Sequence, residues 1–203
     1  KTFCRDRKKL SIGVYDLDEI EFPLTYGAEV RNLKFVPLEM DGEMDVDEIL
    51  EKHPTGIDYS HLLDGFKKVP IWSDNNGKVL SMPPIINSEN TKVTANSKNL
   101  FIDVTGLDLK SCEQALNILV TGFSERGADI YSVNVNGKNY PDLESRKVKL
   151  DVTYLNKILG LELKEKEIKS YFERMGYGFN KNIVEIPCYR TDVMSQIDLI
   201  EDI

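Results

Sequence analysis

The sequence predicts a fold of the α/β and α+β classes, in which a mixed α/β layered domain precedes a small α+β domain. Strand-like and helix-like hydrophobic periods alternate along the chain. Two Asn-Gly pairs mark hairpin turns, because this pair accepts the positive φ angles that tight turns require. The composition changes near Pro141. We therefore predict one domain over residues 1–142 and a second over 143–203.

The predicted elements of the first domain are two helices and several strands. Asp45 is expected to cap a helix over 45–52, and Asp108 to cap a longer helix that runs to about residue 126. The long helix carries an apolar stripe at spacings of three and four residues: Leu109, Cys112, Leu116, Leu119 and Phe123. The predicted strands cover residues 9–15, 69–72, 78–81, 100–104 and 130–135.

The second domain is predicted to contain helices over 153–159 and 164–175, between strands over 146–152 and 183–186. An apolar and acidic pattern at 197–203 predicts the start of a further helix. The chain opens without a methionine and ends within this helix pattern. We therefore expect the sequence to be an incomplete piece of a larger intracellular enzyme.

Charge and cysteine content narrow the possible functions. A formal net charge of −8 argues against a surface that grips a long stretch of phosphate backbone. The basic run at Arg5, Arg7, Lys8 and Lys9 is either a local nucleic-acid patch or a solvated lead-in to the first strand. Three widely spaced cysteines favour a reducing compartment, and no long apolar run indicates a membrane segment, so we expect a cytoplasmic protein.

The common catalytic motifs are missing from the sequence. It contains no GxGxxG, P-loop, HExxH or GxSxG pattern, and neither of its two histidines lies beside a plausible nucleophile. Any catalysis would therefore depend on positioning, on groups of the substrate or on a bound water.

Residues 80–87 (LSMPPIIN) depart from ordinary strand composition. Two consecutive prolines fix the backbone and remove two N–H donors, so we expect regular strand pairing to stop there. Ser81 and Asn87 flank a rigid apolar bracket that includes Met82 and Pro83. Such a bracket is typical of one wall of a small-ligand pocket. The alternative is a rigid strand exit packed into the core.

In residues 99–106 (NLFIDVTG), Asp103 interrupts an otherwise apolar strand. A carboxylate there is costly unless it is paired or hydrogen-bonded. Thr105 points to the same face of the strand, and Gly106 follows as a flexible position. Together these residues offer polar groups to a ligand or a water. The alternative is that Asp103 caps a nearby turn.

The last candidate cluster consists of acidic residues. Asp198, Glu201 and Asp202 fall at i, i+3 and i+4 of the terminal helix, and Asp192 precedes them. A hard cation with oxygen ligands would convert their mutual repulsion into attraction. The alternative is a favourable acidic first turn of a helix.

Several motifs occur in one order along the chain: LSMPPIIN, NLFIDVTGLDL, SERG, PDLESRKVKLDVTYLNKILGLEL, ERMGY, EIPCYRTDV and IDLIEDI. In this order the chain resembles the β subunit of phenylalanyl-tRNA synthetase of the archaeal and eukaryotic type. The resemblance covers nearly the whole chain from about residue 8. It implies that residues up to about 142 are most of the editing domain and that the small α+β domain follows it.

The resemblance implies that the first domain hydrolyses tyrosine attached by mistake to the phenylalanine tRNA. A hydrophobic pocket rejects an isostere with one added hydroxyl by only about 10². A second site that recognises the hydroxyl is therefore needed. By resemblance, Ser81, Asp103 and Thr105 would be catalytic, around a bound water that the terminal ribose also orients. Residues that would hold the substrate are Met82, Pro83, Asn87 and Gly106. The alternative is a non-catalytic, RNA-facing scaffold with a vestigial pocket.

The resemblance also implies partners and cofactors. The β subunit would pair with an α subunit in a heterotetramer of two α and two β chains, and it would bind the phenylalanine tRNA. ATP would be used by the whole enzyme, on the α subunit. A Mg²⁺ ion would be held near the contact between the subunits by Asp192, Asp198, Glu201 and Asp202.

Overall fold

The computed structural model describes residues 3–203, so Lys1 and Thr2 lie outside it. The described chain divides into two compact units, one ending at Cys112 and the next beginning at Glu113. The predicted fold class is confirmed, since both units combine helices with antiparallel sheets. The domain boundary between residues 142 and 143 stays a prediction.

The elements of the first unit alternate between short strands and short helices. Its strands are β1 (Leu10–Asp16), β2 (Thr25–Val30), β3 (Lys34–Phe35), β4 (Met44–Asp45), β5 (Lys68–Ser73), β6 (Val79–Met82), β7 (Ile86–Asn87) and β8 (Leu100–Gly106). Its helices are α1 (Val46–Lys52) and α2 (Pro54–Tyr59), and α3 (Leu109–Ser124) continues into the second unit. The strands form a sheet of order β2-β5-β6-β7 and two antiparallel pairs, β1 with β8 and β3 with β4.

Local signals produce α1 and the β5–β6 hairpin where they were predicted. The Asp45 carboxylate accepts a hydrogen bond from the Glu48 N–H, and the Glu48 side chain accepts one from the Asp45 N–H. This capping box satisfies backbone donors that have no partner within the helix. In the hairpin, the Asp74 carboxylate accepts from the N–H groups of Asn76 and Lys78, and Gly77 has a φ of +79°.

Other parts of the first unit differ from the prediction. Regular pairing stops at the prolines as predicted, since β6 ends at Met82, but β7 then returns alongside β6 and pairs Asn87 with Ser81, which was not predicted. Strand β2 was not predicted, because most of its residues are exposed and it lacks apolar alternation. The stripe predicted on α3 is only partly buried: Leu109 is 63% exposed, whereas Ser111 and Ala115 are buried.

The core of the first unit lies between the four-stranded sheet and α1. Buried side chains of α1, including Val46 and Ile49, pack against Val69 and Ile71 of β5 and Met82 of β6. Burying side chains of this size stabilises a fold by about 1.5–3 kcal/mol each. This core fixes β6 as a support on which polar side chains can be placed accurately.

The second unit has its own core and its own sheet. Its strands are β9 (Val133–Val135), β10 (Lys138–Tyr140), β11 (Arg146–Lys149), β12 (Gly178–Asn180) and β13 (Ile183–Ile186), and its helices are α4 (Val152–Leu159), α5 (Glu165–Arg174) and α6 (Gln196–Glu201). Asn136 and Gly137 have positive φ angles in the β9–β10 turn, which confirms the second predicted hairpin. Strands β11, β13 and β12 form a sheet whose core includes Phe172 and Leu199. Within residues 3–203, no helix combines the length and the apolar composition that crossing a membrane requires.

Candidate functional site

A pocket of about 490 Å³ opens in the first unit, and both predicted segments contribute to it. One wall is apolar and comes from residues 83–86, where the chain turns from β6 into β7. Polar groups of β1, β6 and β8 form another part of the lining, including Tyr15, Ser81 and Asp103. The volume falls in the range of sites that enclose a small organic molecule.

Tyr15 holds the polar groups together. Its hydroxyl is hydrogen-bonded to the Asp103 carboxylate and lies 2.7 Å from the Ser81 Oγ. A phenol has one proton, so it donates to the carboxylate and accepts from the serine hydroxyl. This single side chain therefore connects β1, β6 and β8. Tyr15 was not predicted as a site residue, since an aromatic residue in a strand usually indicates core packing.

Asp103 is buried, at 7% exposure, and its hydrogen bond comes from a side chain across the sheet rather than from a turn. The turn-capping alternative therefore does not hold. Burial raises the pKa of this carboxyl to about 6, although the Tyr15 hydroxyl and the Trp72 indole oppose the rise. No Lys or Arg of the described residues forms a salt bridge with it. A shifted carboxyl in a pocket is typical of a functional group.

Gly13 permits this arrangement. It lies directly opposite Asp103 in the β1–β8 pair. A Cβ atom at residue 13 would lie 2.2 Å from both the Asp103 Oδ2 and the Tyr15 hydroxyl oxygen. Only glycine leaves room for the two groups to meet. A glycine inside a strand is a recognised sign of close approach, so the sequence did carry this signal.

The predicted site residues occupy different positions around the pocket. Ser81, Asp103, Pro83 and Asn87 line it. Thr105 does not itself line the pocket, but its hydroxyl lies 2.8 Å from that of Ser11, which does.

Met82 and Gly106 are not among the lining residues. Met82 is fully buried in the core beside β5. A Cβ at residue 106 would lie 2.8 Å from both Cys112 Sγ and Leu10 Cβ, so Gly106 allows β8 to approach its neighbours. The assignments of catalytic and substrate-binding roles stay predictions.

His53 also lines the pocket, but both of its ring nitrogens contact backbone groups. Its Nδ1 accepts a hydrogen bond from the Thr55 N–H and caps α2, and its Nε2 lies 3.0 Å from the Leu38 carbonyl oxygen. Because Nδ1 accepts this hydrogen bond and Nε2 faces a carbonyl oxygen, the ring has no free lone pair for proton abstraction. The pocket thus offers hydroxyls, carboxylates and a guanidinium, but no free imidazole.

Comparison with known proteins supports an assignment to a family. Residues 7–135 match the model of the B3/4 domain, and residues 148–203 match that of the tRNA synthetase B5 domain. The first match covers more than half of the chain. The chain belongs to the B3/4 domain family.

The relatives that this chain matches over nearly its whole length are named phenylalanine–tRNA ligase β subunits. The chain is 48% identical to that of Methanococcus maripaludis strain C6 over 98% of its own length and 37% of the relative. It is 43% identical to that of Pyrococcus abyssi over 100% of its length and 38% of the relative. The chain therefore spans less than two fifths of these relatives.

A solved structure agrees with the B3/4 assignment. The chain superimposes on an N-terminal fragment of the phenylalanyl-tRNA synthetase β subunit from Pyrococcus horikoshii with a TM-score of 0.93 and 41% identity, over 99% of this chain and 60% of that one. The resemblance stated from the motifs is confirmed.

In the B5 region, the predicted metal ligands have other partners. The Arg190 guanidinium forms salt bridges of 2.7 Å with both Asp192 and Asp202. The Asp198 carboxylate accepts the N–H groups of Met194 and Ser195, so it serves as the acidic first-turn residue of α6.

Glu201, the fourth predicted ligand, lies at the end of α6 and is exposed. Among residues 3–203, no group of three His, Cys, Asp or Glu side chains is arranged to hold a metal ion. In this arrangement the four acidic residues do not fit a Mg²⁺ site, and a site in an assembled enzyme stays a prediction.

Proposed function

We propose that this chain is the proofreading part of a phenylalanine–tRNA ligase β subunit and that its pocket hydrolyses tyrosine attached to the phenylalanine tRNA. The observation that carries the proposal is the Tyr15–Ser81–Asp103 cluster facing an apolar wall in one pocket of about 490 Å³. The family membership supplies the substrate class, since the named relatives are phenylalanine–tRNA ligase subunits.

The pocket combines the two features that recognition of tyrosine requires. The wall at residues 83–86 gives the aromatic ring an apolar surface. A carboxylate has about four acceptor positions, so the bond from Tyr15 leaves Asp103 able to accept a hydrogen bond from a phenol. Phenylalanine would leave the remaining acceptor positions of this buried carboxylate without a partner, at a cost of about 1–3 kcal/mol. Such a site selects the product bearing the hydroxyl.

Hydrolysis is assigned to a bound water rather than to a protein nucleophile. The Ser81 hydroxyl is engaged with Tyr15, and the pocket holds no histidine free to take its proton. Thr105, through its contact with Ser11, and the terminal ribose hydroxyl of the tRNA are proposed to orient this water. Asp103 and Ser81 are proposed to hold the phenol, because one carboxylate cannot contact both the phenol and the ester of one tyrosine. The pKa of about 6 leaves Asp103 mainly ionised at neutral pH. Deacylation should therefore fall as the pH drops below 6.

The alternative function is a structural and RNA-binding scaffold. It is favoured by one observation: Ser81 and Asp103 are 2% and 7% exposed, and both are satisfied by the same tyrosine. A closed polar network of this kind also fixes the relative positions of strands in proteins that have no reaction to catalyse.

The two functions are separated by measuring deacylation of tyrosyl-tRNA by the assembled α/β enzyme. We expect Asp103→Asn to lower the rate about a hundredfold and Ser81→Ala about tenfold, as for loss of catalytic polar groups. Matched controls are Asp74→Asn and Ser88→Ala, which alter equally buried residues outside the pocket lining. Rates for the pocket variants equal to those of their controls would favour the scaffold.

The proposal extends to the enzyme around this chain. The β subunit is proposed to assemble with an α subunit as a heterotetramer of two α and two β chains, in the cytoplasm, and to bind the phenylalanine tRNA. The ligation reaction, which uses ATP, is assigned to the α subunit. The B5 region, by its family name, is the second candidate for contact with the tRNA.

A further inference from the structure

Arg7 is fixed at the pocket by three contacts of the first unit. Its Nη1 donates a hydrogen bond of 3.0 Å to the Pro84 carbonyl oxygen and another to that of Ile85. Its guanidinium carbon lies 4.1 Å from the centre of the Tyr59 ring. These contacts attach Arg7 to the apolar wall at residues 83–86. The interpretation of the basic run as a solvated lead-in is therefore wrong for this residue.

The contacts of Arg7 leave part of the guanidinium available. Both carbonyls are bound through Nη1, and none of the described hydrogen bonds uses Nε or Nη2. No carboxylate of residues 3–203 forms a salt bridge with this side chain. The Nε–Nη2 edge is the edge that binds a phosphate or a carboxylate in a bidentate manner. Arg7 is thus a cation in a fixed position, and the N–H donors of its Nε–Nη2 edge have no described partner.

We infer that Arg7 binds the phosphate group on the 5′ side of the terminal adenosine of the aminoacyl-tRNA, through its Nε–Nη2 edge. This inference rests on the proposed editing function and adds a substrate contact to it. The editing substrate is an amino acid esterified to a ribose, and the phosphate is the anion nearest to that ester.

The charge of the pocket lining supports this assignment. Arg7 is the one Lys or Arg among the residues that line the pocket, whereas Asp6, Glu39 and Asp103 also line it. The chain as a whole carries a formal net charge of −8. A polyanionic substrate would be repelled from such a surface unless a local cation met its phosphate. Arg7 provides that cation without a competing salt bridge.

A purely structural role makes a different prediction. If Arg7 serves only to hold the carbonyls of Pro84 and Ile85, its loss would distort the apolar wall and weaken the binding of every substrate equally. If it binds phosphate, its loss would weaken only ligands that carry the phosphate. The comparison of adenosine 5′-monophosphate with adenosine, which lacks the phosphate, separates these cases.

The experiment measures inhibition of tyrosyl-tRNA deacylation by adenosine 5′-monophosphate and by adenosine in the assembled α/β enzyme. We expect the monophosphate to inhibit the unaltered enzyme about tenfold more strongly than adenosine, as a charge-assisted hydrogen bond would give. Arg7→Ala should remove that difference and raise KM for tyrosyl-tRNA about tenfold, with a smaller change in kcat. Arg7→Lys should restore part of the preference for the monophosphate, because lysine keeps the positive charge but lacks the bidentate guanidinium edge.

Arg5→Ala is the matched control, because Arg5 is exposed, lies in the same turn and makes no described side-chain contact. It should leave both inhibition constants unchanged. Equal inhibition of the unaltered enzyme by the monophosphate and by adenosine would overturn the inference. A preference for the monophosphate that survives in Arg7→Ala would also overturn it. Absence of deacylation by the unaltered enzyme would instead remove the proposed editing function, and with it this inference.

Discussion

The carboxylates of the two units have opposite surroundings. Asp103, in the first unit, is buried without a basic partner, and burial raises its pKa to about 6. In the second unit, Arg190 lowers the pKa of Asp192, and backbone N–H groups of Ser195 and Met194 lower the pKa of Asp198. The second arrangement satisfies each charge and stabilises the fold. The first leaves a charge poorly compensated, which is expected of a group kept for binding or chemistry.

The substitution Gly13→Ala tests this contrast most strongly. The added methyl carbon would lie 2.2 Å from Asp103 and from the Tyr15 hydroxyl, so both must move. We expect a loss of about 3 kcal/mol in stability from overpacking. The proposed editing activity should also fall about a hundredfold, because displacements of about 1 Å have that effect on catalytic geometry.

Gly42→Ala is the control for Gly13→Ala, since a Cβ at residue 42 meets nothing within 4 Å. Thermal unfolding and tyrosyl-tRNA deacylation measure the two effects. Equal behaviour of the two alanine variants would show that the cluster does not depend on the close approach at Gly13.

The pH dependence of stability tests the same contrast through Asp103. The folded chain holds the Asp103 proton up to a pH of about 6, whereas an unfolded aspartate loses its proton near the ordinary value of 3.8. The stabilisation is therefore complete below that ordinary value and is lost as the pH rises to about 6. The difference corresponds to about 3 kcal/mol.

Urea unfolding between pH 4 and pH 7 measures this effect, with fluorescence of Trp72, the single tryptophan, reporting on the first unit. Asp103→Asn should remove this decline, because asparagine does not titrate. A decline of equal size in the variant would show that other groups cause it.

Arg190→Ala tests the satisfied carboxylates of the second unit, and its effect should be smaller. It leaves Asp192 and Asp202 without their cation, and we expect a loss of about 2 kcal/mol from a partly buried charged network. Hydrogen exchange at β12 and β13 measures the change in the second unit. Trp72 fluorescence should report an unchanged first unit.

Lys169→Ala is the matched control for Arg190→Ala. It breaks an exposed i,i+4 pair with Glu173 and should cost no more than about 0.5 kcal/mol. Equal costs for the two variants would mean that the Arg190 network contributes only what a surface ion pair does.

Much of the local structure could be predicted from the sequence. The Asp45 cap, the turn at Gly77 and the turn at Asn136 depend on residues within four positions of each other, and all appear where expected. Strand β2 could not be predicted, because its residues are mostly exposed and its extended form depends on pairing with β5 rather than on its own composition. The α3 stripe was misplaced because the buried positions include the small residues Ser111 and Ala115, which a search for large apolar side chains does not select.

The candidate site was predicted in part. Residues 80–87 and 99–106 both reach the pocket, because a proline pair and a lone carboxylate in a strand are visible in the sequence itself. Tyr15 and Arg7 were not singled out as pocket residues. Their side chains belong to common types, and only their partners distinguish them.

The sequence by itself determined the family, the fold class, both hairpins and the two segments that supply the pocket. Only the tertiary structure decided which polar groups meet there. Tyr15 is separated from Ser81 by 66 positions and from Asp103 by 88, so their contact depends on strand register and packing. The tertiary structure likewise joined Arg190 to Asp202, whereas acidic spacing alone had suggested a metal. Local backbone geometry is encoded by adjacent residues, but the partner of a charge is decided by the whole fold.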